Sequence, residues 1–69
     1  MAFIEKYPRV AEAWMRIRPY TLSGRASPDI ELGVKLTEDE LLALDCQAIV
    51  NGRRMILIQQ EPVTVVQLA

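Results

Sequence analysis

The chain has 69 residues, of which 51% are hydrophobic, and its formal net charge at neutral pH is −1. This length predicts one domain over residues 1–69, in which only ~60% of the unfolded surface becomes buried. A single cysteine excludes an internal disulfide, Glu5 and Lys6 interrupt any secretory signal, and no apolar run approaches the ~20 residues of a membrane span. We therefore expect a cytoplasmic protein that does not enter a membrane.

The first predicted element is an amphipathic helix within residues 4–18. Its apolar residues recur at helical spacing, and the charged residues fall off that stripe. Pro8 fits the first turn, where its missing N–H costs nothing, so the helix is expected to begin near Pro8. Pro19 disfavours the helical conformation of its predecessor and is expected to end the helix. The stripe consists of Ile4, Tyr7, Val10, Ala11, Trp14 and Ile17.

Residues 19–28 contain two prolines, a glycine and two serines without periodicity, which predicts a loop. Residues 29–36 then alternate between apolar and polar side chains, the pattern of a half-buried strand.

Thr37 and Glu40 have the spacing of a capping box, in which each side chain binds the backbone N–H of the other residue. A short helix is therefore expected over residues 38–45.

Two apolar runs flank Asn51-Gly52. An Asn-Gly pair in this setting is a strong signal for a type I′ turn, because both central residues of that turn need a positive φ. The pattern predicts a β-hairpin in which Arg53 and Arg54 lie beside the tip. Cys46 would then lie at the junction between the short helix and the first hairpin strand, as a small buried thiol.

The run Met55–Ile58 is apolar on both faces, which is typical of a central strand. A last β-rich segment follows Pro62. This segment lies either at an edge, where a second subunit would cover it, or inside the sheet with Asp29–Leu36 at the edge.

The elements follow the order α-β-α-β-β-β and predict a small α+β domain. An amphipathic N-terminal helix and a short capped helix pack on a sheet of three to four mainly antiparallel strands. The doubly apolar strand needs cover on its second face, which either the short helix or a second subunit would supply.

Enzymatic chemistry has little support in the sequence. The chain has no histidine, so a Ser-His or Cys-His arrangement is impossible. Cys46 follows the acidic Asp45, and a neighbouring negative charge does not favour a reactive thiolate. The acidic residues 38–40 are explained by the helix start, and the three glycines are isolated, so no metal site and no phosphate loop is expected. The sequence predicts a non-enzyme without cofactor.

Protein binding fits more of the sequence. Tryptophan, tyrosine, methionine and arginine are enriched in interface cores, and these residues cluster along the first helix and the following loop. The candidate binding residues are Trp14, Met15, Arg16, Arg18, Tyr20 and Arg25. Trp14 also fits a core position, but Trp14 and Met15 point about 100° apart on a helix, so at least one apolar side chain should stay near the surface. We expect a module that binds another protein and forms a homodimer or higher oligomer.

Two alternatives stay open. Residues 1–28 carry a charge of +3 and residues 29–69 a charge of −4, and Arg53 and Arg54 on a hairpin tip would suit phosphate contacts, so the first alternative is a nucleic-acid-binding regulator. The second is a self-assembling structural subunit. In size and composition the chain resembles the small accessory proteins of phages and mobile elements.

Overall fold

A computed structural model describes residues 6–69 as two helices and a three-stranded antiparallel sheet. The elements are α1 (Pro8–Thr21), β1 (Ile30–Glu31), α2 (Glu38–Val50), β2 (Met55–Gln59) and β3 (Val65–Leu68). The sheet order is β1-β3-β2. The α+β class is confirmed, with three strands; the additional strand predicted before Asn51 is wrong because that segment belongs to α2.

Helix α1 begins at Pro8, as expected, and buries Val10, Trp14 and Ile17 of the predicted stripe. It also buries Ala13, which the stripe did not include, whereas Ala11 of the stripe is only half-buried. The start of the stripe, at Ile4, lies outside the described residues. The expectation that Pro19 ends the helix is wrong, since α1 continues to Thr21 with an exposed Pro19 inside it. Only the last turn follows Pro19, and the Thr21 hydroxyl donates to the Arg18 carbonyl (2.7 Å) there. The proline removes the donor that would bind the Met15 carbonyl, and the helix continues for only two residues beyond it.

The segment 29–36 keeps its predicted alternation of burial, with Ile30, Leu32 and Leu36 inside, but its regular strand is only two residues long. Gly33 interrupts the strand with a φ of +76°. A Cβ on Gly33 would also lie 3.0 Å from the Arg16 guanidinium. Both the backbone conformation and the close approach of Arg16 therefore favour glycine at this position.

The predicted capping box starts α2. The Glu40 carboxylate accepts the Thr37 N–H (2.9 Å), and the Thr37 hydroxyl accepts the Glu40 N–H (3.3 Å). Arg9 of α1 approaches the other carboxylate oxygen of Glu40 (Nε to Oε2, 3.3 Å). The box therefore both starts α2 and joins it to α1.

The predicted hairpin around Asn51-Gly52 is wrong. Helix α2 continues through Val50, and Gly52 has a φ of +74°. The Gly52 N–H donates to the Ile49 carbonyl and the Arg53 N–H to the Ala48 carbonyl, both at 2.9 Å. This is the bonding of a Schellman motif, the usual glycine-terminated helix end. A positive-φ glycine serves a helix C-terminus as well as a hairpin, and here packing of α2 decides between them.

Strand β3 is the centre of the sheet and β2 is an edge. Met55 and Leu57 lie opposite Leu68 and Val66, and a bulge follows Leu57. The expectation that Met55–Ile58 is central is therefore wrong. Of the two predicted locations for the C-terminal segment, the one inside the sheet is confirmed.

The core lies between both helices and one face of the sheet. The buried residues of α1 and α2 form a single cluster with the fully buried Val66 and Leu68. The opposite face of the sheet carries Ile56, Val65 and Gln67, which alternate with those core positions. Helix α2 therefore does not cover the second face, contrary to one of the two expectations.

Candidate protein-binding surfaces

Trp14 and Met15 have opposite environments. The Trp14 side chain belongs to the core and is 7% exposed, whereas Met15 is 61% exposed. The expectation that at least one apolar residue stays at the surface is confirmed, and Met15 is that residue. Trp14 is not part of a surface, because its ring packs between α1 and the rest of the core.

A first exposed surface lies at the C-terminal end of α1. Met15, Arg18 and Leu22 follow one another at three- and four-residue spacing, and Leu22 keeps helical backbone angles, so the three residues share one side of the helix. Tyr20 is also exposed, as is Arg25 in the following loop. We call these five residues the α1 surface. Four of them belong to the predicted binding set; Leu22 was missed because it lies in the predicted loop.

Arg16 has a structural role. Its guanidinium donates to the Glu31 carbonyl (3.3 Å) and covers the backbone of Gly33. The side chain therefore connects α1 to the end of β1 and to the glycine after it. It borders the α1 surface and is not counted in it.

Arg53 lies beneath the α1 surface and binds backbone carbonyls of the residues that form it. Its guanidinium is buried and donates to the carbonyls of Tyr20 (3.1 Å), Thr21 (3.3 Å), Arg25 and Ala69 (3.4 Å). These bonds satisfy the last carbonyls of α1 and hold the loop and the C-terminal residue to the same group. Sequence reasoning missed this role because it assigned Arg53 to an exposed turn.

Arg53 and Arg54 do not form a basic hairpin tip. Arg53 points into the domain, whereas Arg54 is exposed and its carbonyl accepts the Ala69 N–H (2.8 Å). The premise on which the nucleic-acid alternative rested is therefore wrong. Of the pair, only Arg54 has a guanidinium on the surface.

A second exposed surface lies along α2 and β2. Leu42, Ile49 and Val50 project from α2, and Ile56, Leu57 and Ile58 from β2, all at least 43% exposed. We call these six residues the α2–β2 surface. A groove of about 200 Å³ separates the two elements and is lined by Leu41, Leu42, Asp45, Met55 and Leu57.

The backbone of β2 has one unpaired side. The Arg54 carbonyl accepts from Ala69, its partner in the continued β2–β3 register. Hydrogen-bonded and non-hydrogen-bonded pairs alternate along an antiparallel ladder, so Ile56 also bonds toward β3. Met55 and Leu57 consequently direct their N–H and C=O groups away from the sheet.

Leu68 supports this assignment. Its N–H donates to the Ser27 hydroxyl and its carbonyl accepts the Ser27 N–H, each at 2.8 Å. Because Ser27 lies on the side of β1, Leu68 turns its polar groups away from Met55, the residue opposite it. Within residues 6–69, no backbone hydrogen bond beyond the sheet itself involves Met55 or Leu57.

Charged groups mark both ends of β2. Arg54 precedes the strand, and Glu61 follows it. Lys35 forms an ion pair with Glu61, and its hydrogen bond and positive charge lower the pKa of that carboxyl from its ordinary value of 4.5. Glu61 is therefore ionised at neutral pH. Between Arg54 and Glu61 the chain has no charge.

The described part of the chain offers few side chains for metal binding or catalysis. Residues 6–69 contain no cluster of three or more potential metal-ligating side chains. Cys46 lies within α2 and is half-buried, rather than at the predicted junction between a helix and a strand. The absence of an enzyme activity stays a prediction.

Comparison with known protein families, with curated proteins and with solved structures finds no match to this chain. Among residues 6–69, neither helix is long and apolar enough to cross a bilayer.

Proposed function

We propose that this chain is a non-enzymatic protein-binding module of the cytoplasm that acts by occupying a site on a larger protein, as an adaptor, inhibitor or assembly component. The binding site is the α1 surface. The observation that carries the proposal is the stripe of Met15, Arg18 and Leu22, in which two highly exposed apolar side chains flank an arginine. Methionine and arginine are enriched in the cores of protein–protein interfaces.

The rigidity of the α1 surface supports the proposal. Arg53 holds the last turn of α1 and the carbonyl of Arg25 through a buried guanidinium. A surface that is ordered before binding loses less conformational entropy when the complex forms. Arg53 thus acts as a positioning residue for the proposed site.

The charge of the surface predicts the chemistry of the partner. Arg18 and Arg25 are exposed, and neither forms an ion pair with an acidic residue of the described part of the chain. A complementary protein surface therefore presents an apolar patch beside carboxylates. Complementary charges of this kind raise association rates and select against wrong partners.

The test is an affinity purification of the tagged full chain from the lysate of its source organism, with and without nuclease. Arg18→Glu is compared with Arg54→Glu, since both reverse the charge of an exposed arginine. Met15→Ala is compared with Leu42→Ala, because the two side chains are 61% and 62% exposed. We expect a nuclease-resistant stoichiometric partner that is lost with Arg18→Glu and weakened with Met15→Ala, while both controls retain it.

Three results would overturn the proposal. Nuclease-sensitive capture would favour the nucleic-acid alternative, whose salt dependence would then identify the phosphate contacts. Equal loss of the partner with Arg54→Glu would exclude the α1 surface as its specific site. Recovery of the chain alone would favour the self-assembling subunit.

A further inference from the structure

The unpaired side of β2 lacks most of the features that usually protect a sheet edge. Natural edges are shielded by charges, prolines, bulges or a covering element. No charged residue and no proline occurs from Met55 to Gln60. The bulge begins only after Leu57, so the first half of β2 stays regular. Met55 and Leu57 therefore offer two donors and two acceptors in regular strand geometry.

Apolar side chains border this open backbone on both faces. Leu57 lies on the face that carries the helices, next to the groove and Leu42 of α2. Ile56 lies on the opposite face, which neither helix covers. A strand that paired with β2 would cover apolar surface on both faces at the same time.

The charges at the ends of β2 favour a second copy of the same strand as that partner. In an antiparallel self-pairing, Arg54 of one copy points toward the end of the other copy that carries the Glu61–Lys35 ion pair, and no arginine lies opposite it. A parallel self-pairing would bring Arg54 against Arg54, and like charges side by side destabilise a strand pair. The uncharged interval from residue 55 to residue 60 places no repulsive pair between the ends.

We propose that two copies of this chain form a homodimer by antiparallel pairing of β2 with β2. The two-fold axis passes through Ile56 and is perpendicular to the sheet, so that Met55 of each copy exchanges backbone hydrogen bonds with Leu57 of the other. The result is a continuous six-stranded sheet. This register uses the regular half of β2 and avoids the bulge.

The same axis acts on the helices. A two-fold axis perpendicular to the sheet keeps the helices of both copies on one face, so the two α2 helices approach each other beside the junction. Leu42 and Leu57, which border the groove, then become buried together. On the opposite face the two Ile56 side chains meet across the axis, because directly opposed residues of a non-hydrogen-bonded pair come closest.

Cysteine crosslinking tests both the dimer and its register. In a Cys46→Ser background, Ile56→Cys is compared with Leu57→Cys, its neighbour of similar exposure. The two Ile56 positions form a non-hydrogen-bonded pair on the axis, where two cysteines have the separation that a disulfide needs. Leu57 of one copy lies opposite Met55 of the other copy, so two cysteines at position 57 are not paired. We expect rapid oxidation of the Ile56→Cys protein to a covalent dimer and at least about tenfold slower crosslinking of Leu57→Cys, whose cysteines meet only by collision.

A second measurement does not depend on cysteines. Light scattering of the full chain should give twice the 7.8 kDa chain mass at high concentration and approach the single mass on dilution. Ile56→Lys should remain monomeric, and Leu22→Lys, at a more exposed position just after α1 and outside the α2–β2 surface, should still dimerise. Circular dichroism of both variants establishes that they are folded.

The dimer proposal is wrong if the folded wild-type chain stays monomeric at all concentrations, or if Leu57→Cys crosslinks as fast as Ile56→Cys. It is also wrong if Arg18→Glu, rather than Ile56→Lys, dissociates the dimer. The α1 surface is tested separately, because partner capture there requires neither Ile56 nor a dimer. Failure of one proposal therefore leaves the other standing.

Discussion

The two exposed surfaces differ in what they leave unsatisfied. On the α1 surface Arg53 binds the carbonyls of Tyr20, Thr21 and Arg25, and the exposed groups are apolar side chains and guanidinium groups. On the α2–β2 surface the strand between Arg54 and Glu61 has no charge, and Met55 and Leu57 leave backbone groups unpaired. Apolar exposure alone therefore does not identify a partner: under the two proposals, the first surface selects its partner by charge and the second by strand geometry.

The largest expected effect separates Trp14 from its neighbour. Trp14→Ala removes a buried ring from the core and should reduce the free energy of unfolding by about 3–5 kcal/mol. Met15→Ala changes an exposed side chain and should stay within about 0.5 kcal/mol. Urea unfolding of both variants measures the difference. Similar losses would contradict the division of α1 into a core face and a binding face.

Arg53 and Arg54 provide the next contrast. Arg53→Ala leaves several carbonyls without their donor, and we expect a loss of about 2–4 kcal/mol in the free energy of unfolding. Arg54→Ala should change stability by less than about 0.5 kcal/mol. Partner capture by Arg53→Ala should also weaken, since the end of α1 loses its support. A stable Arg53→Ala protein with full capture would exclude the positioning role.

The start of α2 provides a smaller test on the other side of the molecule. Thr37→Ala removes one half of the capping box and should cost about 1 kcal/mol. The first turn of α2 precedes Leu41 and Leu42 in the groove, so dimerisation should weaken while partner capture through α1 stays unchanged. Thr21→Ala, which removes a hydroxyl at the end of α1, is measured for the same two activities, dimerisation and partner capture. Equal effects on both activities would show that the two surfaces are not independent.

The smallest effect concerns Glu61. Because Lys35 lowers the pKa of the Glu61 carboxyl in the folded chain, this ion pair stabilises the fold above the unfolded pKa, and the contribution is lost as the pH falls through the lower folded value. Lys35→Met should raise the pKa of Glu61 toward 4.5, as measured by NMR titration. An unchanged pKa would contradict the ion pair. At neutral pH the substitution should hardly affect stability, since exposed pairs contribute little.

Local signals predicted the helix starts and missed the helix ends. Pro8 and the Thr37–Glu40 box determine their helix starts through bonds within a few residues, so the sequence was sufficient. Gly52 needs a positive φ in a hairpin and in a helix cap alike, and local sequence does not distinguish the two. Pro19 does not end α1, whose last two carbonyls bind the distant Arg53.

The candidate sites divide in the same way. The sequence identified the residue types of the α1 surface and the apolar character of Met55–Ile58, because these depend on composition and spacing. It did not identify the buried role of Arg53, whose acceptors Tyr20, Arg25 and Ala69 are distant along the chain.

By itself, the sequence determined the α+β class, the core stripe of α1 and the cap of α2, since hydrophobic periodicity and short-range hydrogen bonds are encoded within a few residues. Only the tertiary structure decided that β3 is central and β2 an edge. Strand order is set by pairing between residues far apart in the chain, such as Ile30 with Val66 and Met55 with Leu68, and no local signal determines it.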